Sequence, residues 1–186
     1  KLNISTYYLK PGFAFGGSCL PKDLRAINYL AKNLDLDLPL LSSLLPSNRN
    51  QIQSAIKRII SLGKNKIGIA GFSFKEGTDD LRESPIIEVI ETLIGKGYDL
   101  KLYDRNVSLA RLVGANKEYI EKRIPHISAL MVESLDEILG DRELIIIGNK
   151  APEFTRILNE ARDDQMIFDL VRMGDNIYDR RNYEGI

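Results

Sequence analysis

The chain is poor in the residues that usually staple small folds. Among 186 residues there is one cysteine, Cys19, one histidine, His126, and no tryptophan. A single cysteine excludes an internal disulfide, and one cysteine with one histidine cannot supply the four ligands of a structural zinc site. A reducing compartment, the cytoplasm, is the simplest setting. Charge of one sign is also missing: Lys plus Arg and Asp plus Glu each total 26, so the net charge is zero. No global field then draws the molecule to nucleic acid or to an acidic membrane surface, and neither is expected as a partner. Long apolar runs are absent too. Leu144–Ile147 is typical of those present and far short of the ~20 residues that span a bilayer. The first residues, Lys1–Thr6, carry neither an initiator methionine nor a charged-then-apolar signal pattern, and read as a cut inside a longer protein.

What remains is an ordinary globular composition, 44% hydrophobic and 28% charged. Residues 1–20 are rich in glycine and aromatics without a useful period, which predicts a loop. Pro21 opens a helical pattern, with Leu24, Ile27, Leu30 and Ala31 on one stripe, ending near Asp35–Asp37. A second helical pattern runs from Pro39 to Gly63, its stripe made by Ile52, Ala55, Ile56, Ile59 and Ile60. Pro46 lies inside it and is expected to break or kink it.

From Lys64 the pattern alternates. Strands are predicted at Lys66–Ala70, Tyr98–Tyr103, Leu144–Ile147 and Met166–Leu170, and helices at Ser84–Lys96 (closed by Gly97), Glu133–Leu139 and Pro152–Ala161. That order predicts an α/β fold: a helical N-terminal segment over residues 1–63, then a small doubly wound, Rossmann-like parallel sheet over residues 64–186.

Three stretches carry candidate chemistry. Gly68–Gly71 after the first strand suggests a dinucleotide turn, but its glycine spacing is incomplete, and a simple tight strand exit explains it as well. Lys75–Pro85 stands beyond a strand's carboxyl end and carries Lys75 and Arg82 before a helix whose Ser84-Pro85 pair suits the N-cap and N1 positions. It could hold phosphate, or be a solvated, well-capped loop. The most specific stretch is Gly16-Gly17-Ser18-Cys19-Leu20-Pro21-Lys22-Asp23. Cys19 stands at a helix entrance, where unpaired amides favour the nucleophilic thiolate, and Lys22 adds a cation. If the helix begins as early as Cys19, Asp23 shares its face and could activate a water. The two glycines permit close approach of backbone to a substrate. Alternatively, Cys19 is merely a small packed residue. His126, with no partner nearby in sequence, is taken as structural, and the isoleucine stripe as a packing face that could meet another copy of the chain.

Gly16–Asp23, together with Phe74-Lys75 and Asp80-Leu81-Arg82-Glu83-Ser84-Pro85, resembles the two signatures of the UDP-glucose/GDP-mannose dehydrogenase family of nucleotide-sugar 6-dehydrogenases. Tyr7–Phe15, Gly114–Ile120 and Ile124–Ile127 are most similar to its GDP-mannose branch. The resemblance implies a parent with an N-terminal NAD-binding domain, a central helix that builds a homodimer, and a C-terminal nucleotide-sugar domain, of which this chain holds the last two. It implies oxidation of the sugar's C6 alcohol to a carboxylate in two hydride transfers to NAD, through a Cys19 thiohemiacetal and thioester. Asp23 would help activate the hydrolytic water, and Lys22 would stabilise developing charge. Asn3, Tyr7, Tyr8, Lys10, Phe13, Phe15, Gly16 and Gly17 would contact the nucleotide sugar, Lys75 would act as a point charge on it, and Arg82 would reach the NAD. No metal is implied. A UDP-sugar substrate is one alternative, and a non-catalytic nucleotide-binding and dimerisation module is the other.

Overall fold

The structure is a computed structural model that describes residues 12–107, 125, 127–173 and 180–185. Two helices lead: α1, Leu20–Asn33, and α2, Pro39–Ser61. The turn between them is set by Asp35, whose φ of 53° places it in the left-handed region. There the amide of Leu36 reaches back to the Ala31 carbonyl (2.9 Å) and that of Asp35 to Lys32 (3.3 Å), a Schellman-type stop.

Helix α2 runs through Pro46 without a break, contrary to the expectation from sequence. Ser42, whose carbonyl loses its intrahelical partner at Pro46, is exposed, as is Pro46 itself, so water can take that acceptor. The Ser42 hydroxyl bonds the Leu38 carbonyl and that of Ser43 the Leu40 carbonyl, which ties up the turn before the proline.

Beyond α2 the chain alternates: β1 Lys66–Ala70, α3 Pro85–Gly95, β2 Asp99–Tyr103, the short helices α4 Ile127–Leu130 and α5 Asp136–Asp141, and β3 Leu144–Ile147. A 3₁₀ turn at Pro152–Phe154 then leads into α6 Thr155–Glu160, β4 Met166–Asp169 and β5 Tyr183–Gly185. The five strands form one sheet in the order β2-β1-β3-β4-β5, every pair parallel.

Strand residues point alternately to the two faces, and β3 shows the consequence. Leu144 and Ile146 join one buried cluster with α2, α3 and Phe13, while Ile145 and Ile147 join another with Ile138, Phe154 and Ile157. Both faces are therefore covered by helices, as the doubly wound reading predicts. Gly97, with φ of 80°, ends α3 as expected, the amide of Tyr98 bonding the Leu93 carbonyl at 3.1 Å.

The strand β5 was not expected. It has three residues, is only partly buried, and is held by side chains from other elements. Tyr183 donates its hydroxyl to the buried Asp169 carboxylate at 2.8 Å, and Glu184 accepts from Arg58 of α2 at 2.6 and 2.7 Å.

Candidate active site

With strand order β2-β1-β3-β4-β5, the chain leaves β1 in one direction and returns beyond it to β3, so the crevice at the carboxyl ends of β1 and β3 is the switch point where such sheets bind ligands. A cavity of about 220 Å³ lies there, lined among others by Phe13, Phe74, Lys75, Gly148, Asn149 and Lys150. Lys75 is exposed on its wall, with its ammonium 5.3 Å from the Phe74 ring centroid. Lys150 is a second cation on the same cavity that sequence reading missed; its only signal was its place just past β3.

The floor beneath this crevice is a buried polar network. Asp104, at the end of β2, accepts the Phe72 and Ser73 amides at 3.0 and 3.2 Å and the Asn149 side-chain amide at 3.2 Å through one carboxylate oxygen. Its other oxygen accepts the amide of Asn106 at 3.1 Å. The Ser73 hydroxyl lies 3.0 Å from Asp104 and 2.8 Å from the Lys75 carbonyl, and its one proton serves either. Gly71, with φ of +81°, is needed because a Cβ there would meet the Asn149 side chain at 2.5 Å. The Gly68–Gly71 turn is therefore a tight strand exit whose amides are already spoken for.

The loop after β1 is likewise internally paired. Arg82 grips the buried Asp80 carboxylate with its Nε at 2.9 Å and a terminal nitrogen at 2.8 Å, and its backbone amide bonds the same group at 2.9 Å. The guanidinium holds the Asp80 carboxyl below the usual carboxylate range, chiefly through these hydrogen bonds. A depressed folded-state value stabilises the protein above the ordinary carboxylate pKa of about 4, and that contribution is lost as the pH falls through the folded value. Asp80→Asn is therefore expected to lower the urea midpoint near pH 7 and to differ less from the parent near pH 3; an equal deficit at both would show that the charge plays no part. Ser84 and Pro85 take the N-cap and first-turn positions of α3 as expected, but the Ser84 hydroxyl donates to the Phe72 carbonyl at 2.9 Å and makes no side-chain cap. Buried against the strand exit, that hydroxyl supplies a donor to a backbone carbonyl at the end of β1.

The Gly16–Asp23 stretch folds against this loop. A Cβ on Gly16 would lie 2.1 Å from the Glu83 carbonyl, and one on Gly17, at φ +85°, would lie 2.9 Å from the Phe74 ring. Both glycines thus let the segment seat on the chain's own 72–85 loop. Arg25 of α1 pairs with the Glu83 carboxylate over the same contact. The segment then turns into α1 with Cys19 at the N-cap, and the Asp23 amide donates to the Cys19 carbonyl at 2.9 Å.

Cys19 is an exposed free cysteine in this chain. Its sulfur lies 3.8 Å from the Ser18 hydroxyl. The Arg82 guanidinium sits above its ordinary range, first through its hydrogen bonds to Asp80, with a smaller electrostatic pull from Cys19. Lys22 and Asp23 are both exposed and pair with each other at 3.4 Å. Phe13 is buried, with 7% of its surface exposed, and contributes to both the core and the cavity wall. Asn3, Tyr7, Tyr8, Lys10 and His126 lie outside the described residues. No cluster of metal-ligating side chains occurs among the described residues, and none of the described helices is long and apolar enough to cross a membrane.

Comparison with known proteins agrees with this fold. Residues 68–180 match the UDP-binding domain of the UDP-glucose/GDP-mannose dehydrogenase family, and residues 1–50 match its central domain. The chain is 53% identical over 171 residues to the GDP-mannose 6-dehydrogenase of Pseudomonas aeruginosa, covering 92% of this chain and 39% of that protein. It is 34% identical over 175 residues to the UDP-glucose 6-dehydrogenase of Rickettsia bellii, covering 91% and 37%. Among solved structures, GDP-mannose dehydrogenase from P. aeruginosa superposes with a TM-score of 0.90 at 50% identity, over 100% of this chain and 42% of that one. The chain thus spans about two-fifths of the length of the relatives it matches. Two adjoining family domains, in the order the chain presents them, account for the exposed cysteine loop and for the doubly wound sheet behind it: the chain belongs to the UDP-glucose/GDP-mannose dehydrogenase family.

Proposed function

We propose that the full-length protein oxidises the C6 alcohol of GDP-mannose to the carboxylate, with NAD as oxidant, and that this chain supplies the nucleophile and much of the nucleotide-sugar site. The observation that carries the reading is the exposed Cys19 at the start of α1, on a segment pressed against the loop that walls the switch-point cavity. The greater similarity to the GDP-mannose enzyme than to the UDP-glucose enzyme favours the guanine nucleotide.

The residues of this chain do not suit a dinucleotide. At the β1 exit, the amides of Phe72 and Ser73 that a pyrophosphate would use end on Asp104. NAD would therefore be held mainly by the part of the protein outside this chain, with Arg82 offered towards it. When bound it supplies the hydride acceptor for both oxidations. The sulfur of Cys19 adds to the aldehyde carbon, forming the C–S bond of a thiohemiacetal, and keeps that carbon attached until it reaches the thioester level. Water, activated by Asp23, then attacks the acyl carbon; the C–S bond breaks, the carboxylate leaves, and the thiolate is regenerated. Lys22 steadies charge developing on oxygen or sulfur. Lys75 and Lys150 flank the cavity as point charges for the diphosphate, with Phe13, Phe15, Gly16 and Gly17 shaping the sugar side.

The protein would act as a homodimer. Ile27, Leu30 and Leu34 leave an apolar face of α1 in solvent, continued by Leu40 at the start of α2, which a second copy would cover.

The test is product analysis. Full-length protein given GDP-mannose and NAD should form the sugar acid with two NADH per sugar, and UDP-glucose should give at least about 100-fold less, the order of discrimination that a base-specific polar site provides. The 186-residue chain alone is expected to bind GDP more tightly than UDP by calorimetry and to show no turnover. Acid formed as readily from UDP-glucose would overturn the choice of base.

A further inference from the structure

The segment that carries Cys19 has no sheet partner, yet its backbone is paired like a strand. The Phe15 amide donates to the Asn48 side-chain oxygen at 2.9 Å, and the Asn48 side-chain nitrogen donates to the Phe15 carbonyl at 2.8 Å. One carboxamide of α2 therefore satisfies both backbone groups of the residue just before Gly16-Gly17. Packing alone does not hold that residue. A cleft of about 590 Å³ lies beside it, lined among others by Phe15, Pro21, Arg25, Asn48, Glu83 and Glu88. Gly16 sits hard against the Glu83 carbonyl at the edge of the same cleft, so the cleft is the open space into which Phe15 can relax.

We infer that Asn48 is a positioning residue: its paired hydrogen bonds fix Phe15, and through Gly16-Gly17 they fix where the Cys19 sulfur meets the aldehyde. The inference rests on the reading of Cys19 as nucleophile. With the carboxamide removed, Phe15 sags into the cleft, the thiol is displaced, and the aldehyde escapes before the C–S bond can form. A displacement on the order of 1 Å costs a covalent step about 100-fold. The first oxidation, which does not use the sulfur, loses less, and only through the sugar contacts of Phe15, Gly16 and Gly17.

The experiment uses the full-length enzyme with hydroxylamine present to trap free aldehyde, and compares the parent with Asn48→Ala, Asn48→Asp and Cys19→Ser. Asn48→Asp keeps the shape but sets a carboxylate oxygen against the Phe15 carbonyl, so it decides the matter if Asn48→Ala fails to fold. Both Asn48 variants are expected to release trapped aldehyde and to lose roughly 100-fold in oxidation of added aldehyde. Without nucleotides, their rates of Cys19 alkylation by iodoacetamide should change by about fivefold or more, as expected from the loss of a net hydrogen bond. Full acid formation without trapped aldehyde in the Asn48 variants, while Cys19→Ser forms none, would overturn the inference and leave the nucleophile intact. So would an equal loss in both oxidation steps, which marks a merely structural role. Acid formation by Cys19→Ser would remove the nucleophile reading and this inference with it.

Discussion

Cys19→Ser in the full-length protein is expected to abolish acid formation, by roughly 10³-fold or more, the scale seen when the nucleophile of a covalent mechanism is removed. The hydroxyl is a far weaker nucleophile than the thiolate, so the aldehyde is not captured and the second oxidation loses its donor. The first oxidation needs no sulfur. The variant should therefore still generate aldehyde from GDP-mannose, at a rate set by sugar binding and hydride transfer, and that aldehyde should be trappable as an oxime. The exposure of Cys19 makes the complementary experiment direct, because iodoacetamide should reach the sulfur in the native state and inactivate the enzyme in step with a single alkylation. Saturating nucleotide sugar should slow that alkylation. If Cys19→Ser forms acid at a near-normal rate, the covalent account is wrong, whatever the family resemblance.

The largest effect on stability is expected from Asp104→Ala. Asp104 is 4% exposed and takes the Phe72, Ser73 and Asn106 amides and the Asn149 side chain. Its removal orphans several buried donors at once, each worth about 1–3 kcal/mol when left unsatisfied. A loss of about 3 kcal/mol or more follows, which for a chain of this size is a fall of roughly 6–12 °C in melting temperature. Asp104→Asn should recover only part of it, since the new amide group brings donors to a place already crowded with them. The carboxylate also fills the position where the strand exit of a dinucleotide fold would receive phosphate. Inorganic phosphate should accordingly raise the melting temperature of Asp104→Ala more than that of the parent, which has only the Lys75 and Lys150 cavity to offer it. A melting temperature within a degree of the parent would show that the network is dispensable.

The sequence made the local features legible. Lys66–Ala70 and Leu144–Ile147 are short apolar runs between turn signals, and the structure keeps those bounds. Gly97 was readable as a helix stop because only its left-handed backbone lets the Leu93 carbonyl find the Tyr98 amide. Cys19 was readable at a helix entrance because proline follows it by two positions. The unreadable features all depend on partners distant along the chain. Asn48 looks like any polar residue on a solvated helix until Phe15 folds onto it, 33 positions away. Asp104 reads as a loop acid until the exit of β1 turns its amides inward. The short β5 carries no apolar signal of its own, being held by Asp169 and Arg58. Pro46 misleads for the opposite reason: the helix rule is local, and on an exposed face the carbonyl that loses its donor is left open to solvent.

Phe13 and the inner face of α2, from Ile52 to Ile59, lie in the same buried cluster as β1 and α3. The segment that carries Cys19 is therefore no detachable lid. It is tethered upstream by Phe13 and alongside by Asn48, and both tethers end in that one apolar mass. Trimming a methyl group from Ile56 or Ile59 would loosen the same apolar mass that holds Phe13, so a change deep in the core is felt, by way of α2, at the segment that carries Cys19.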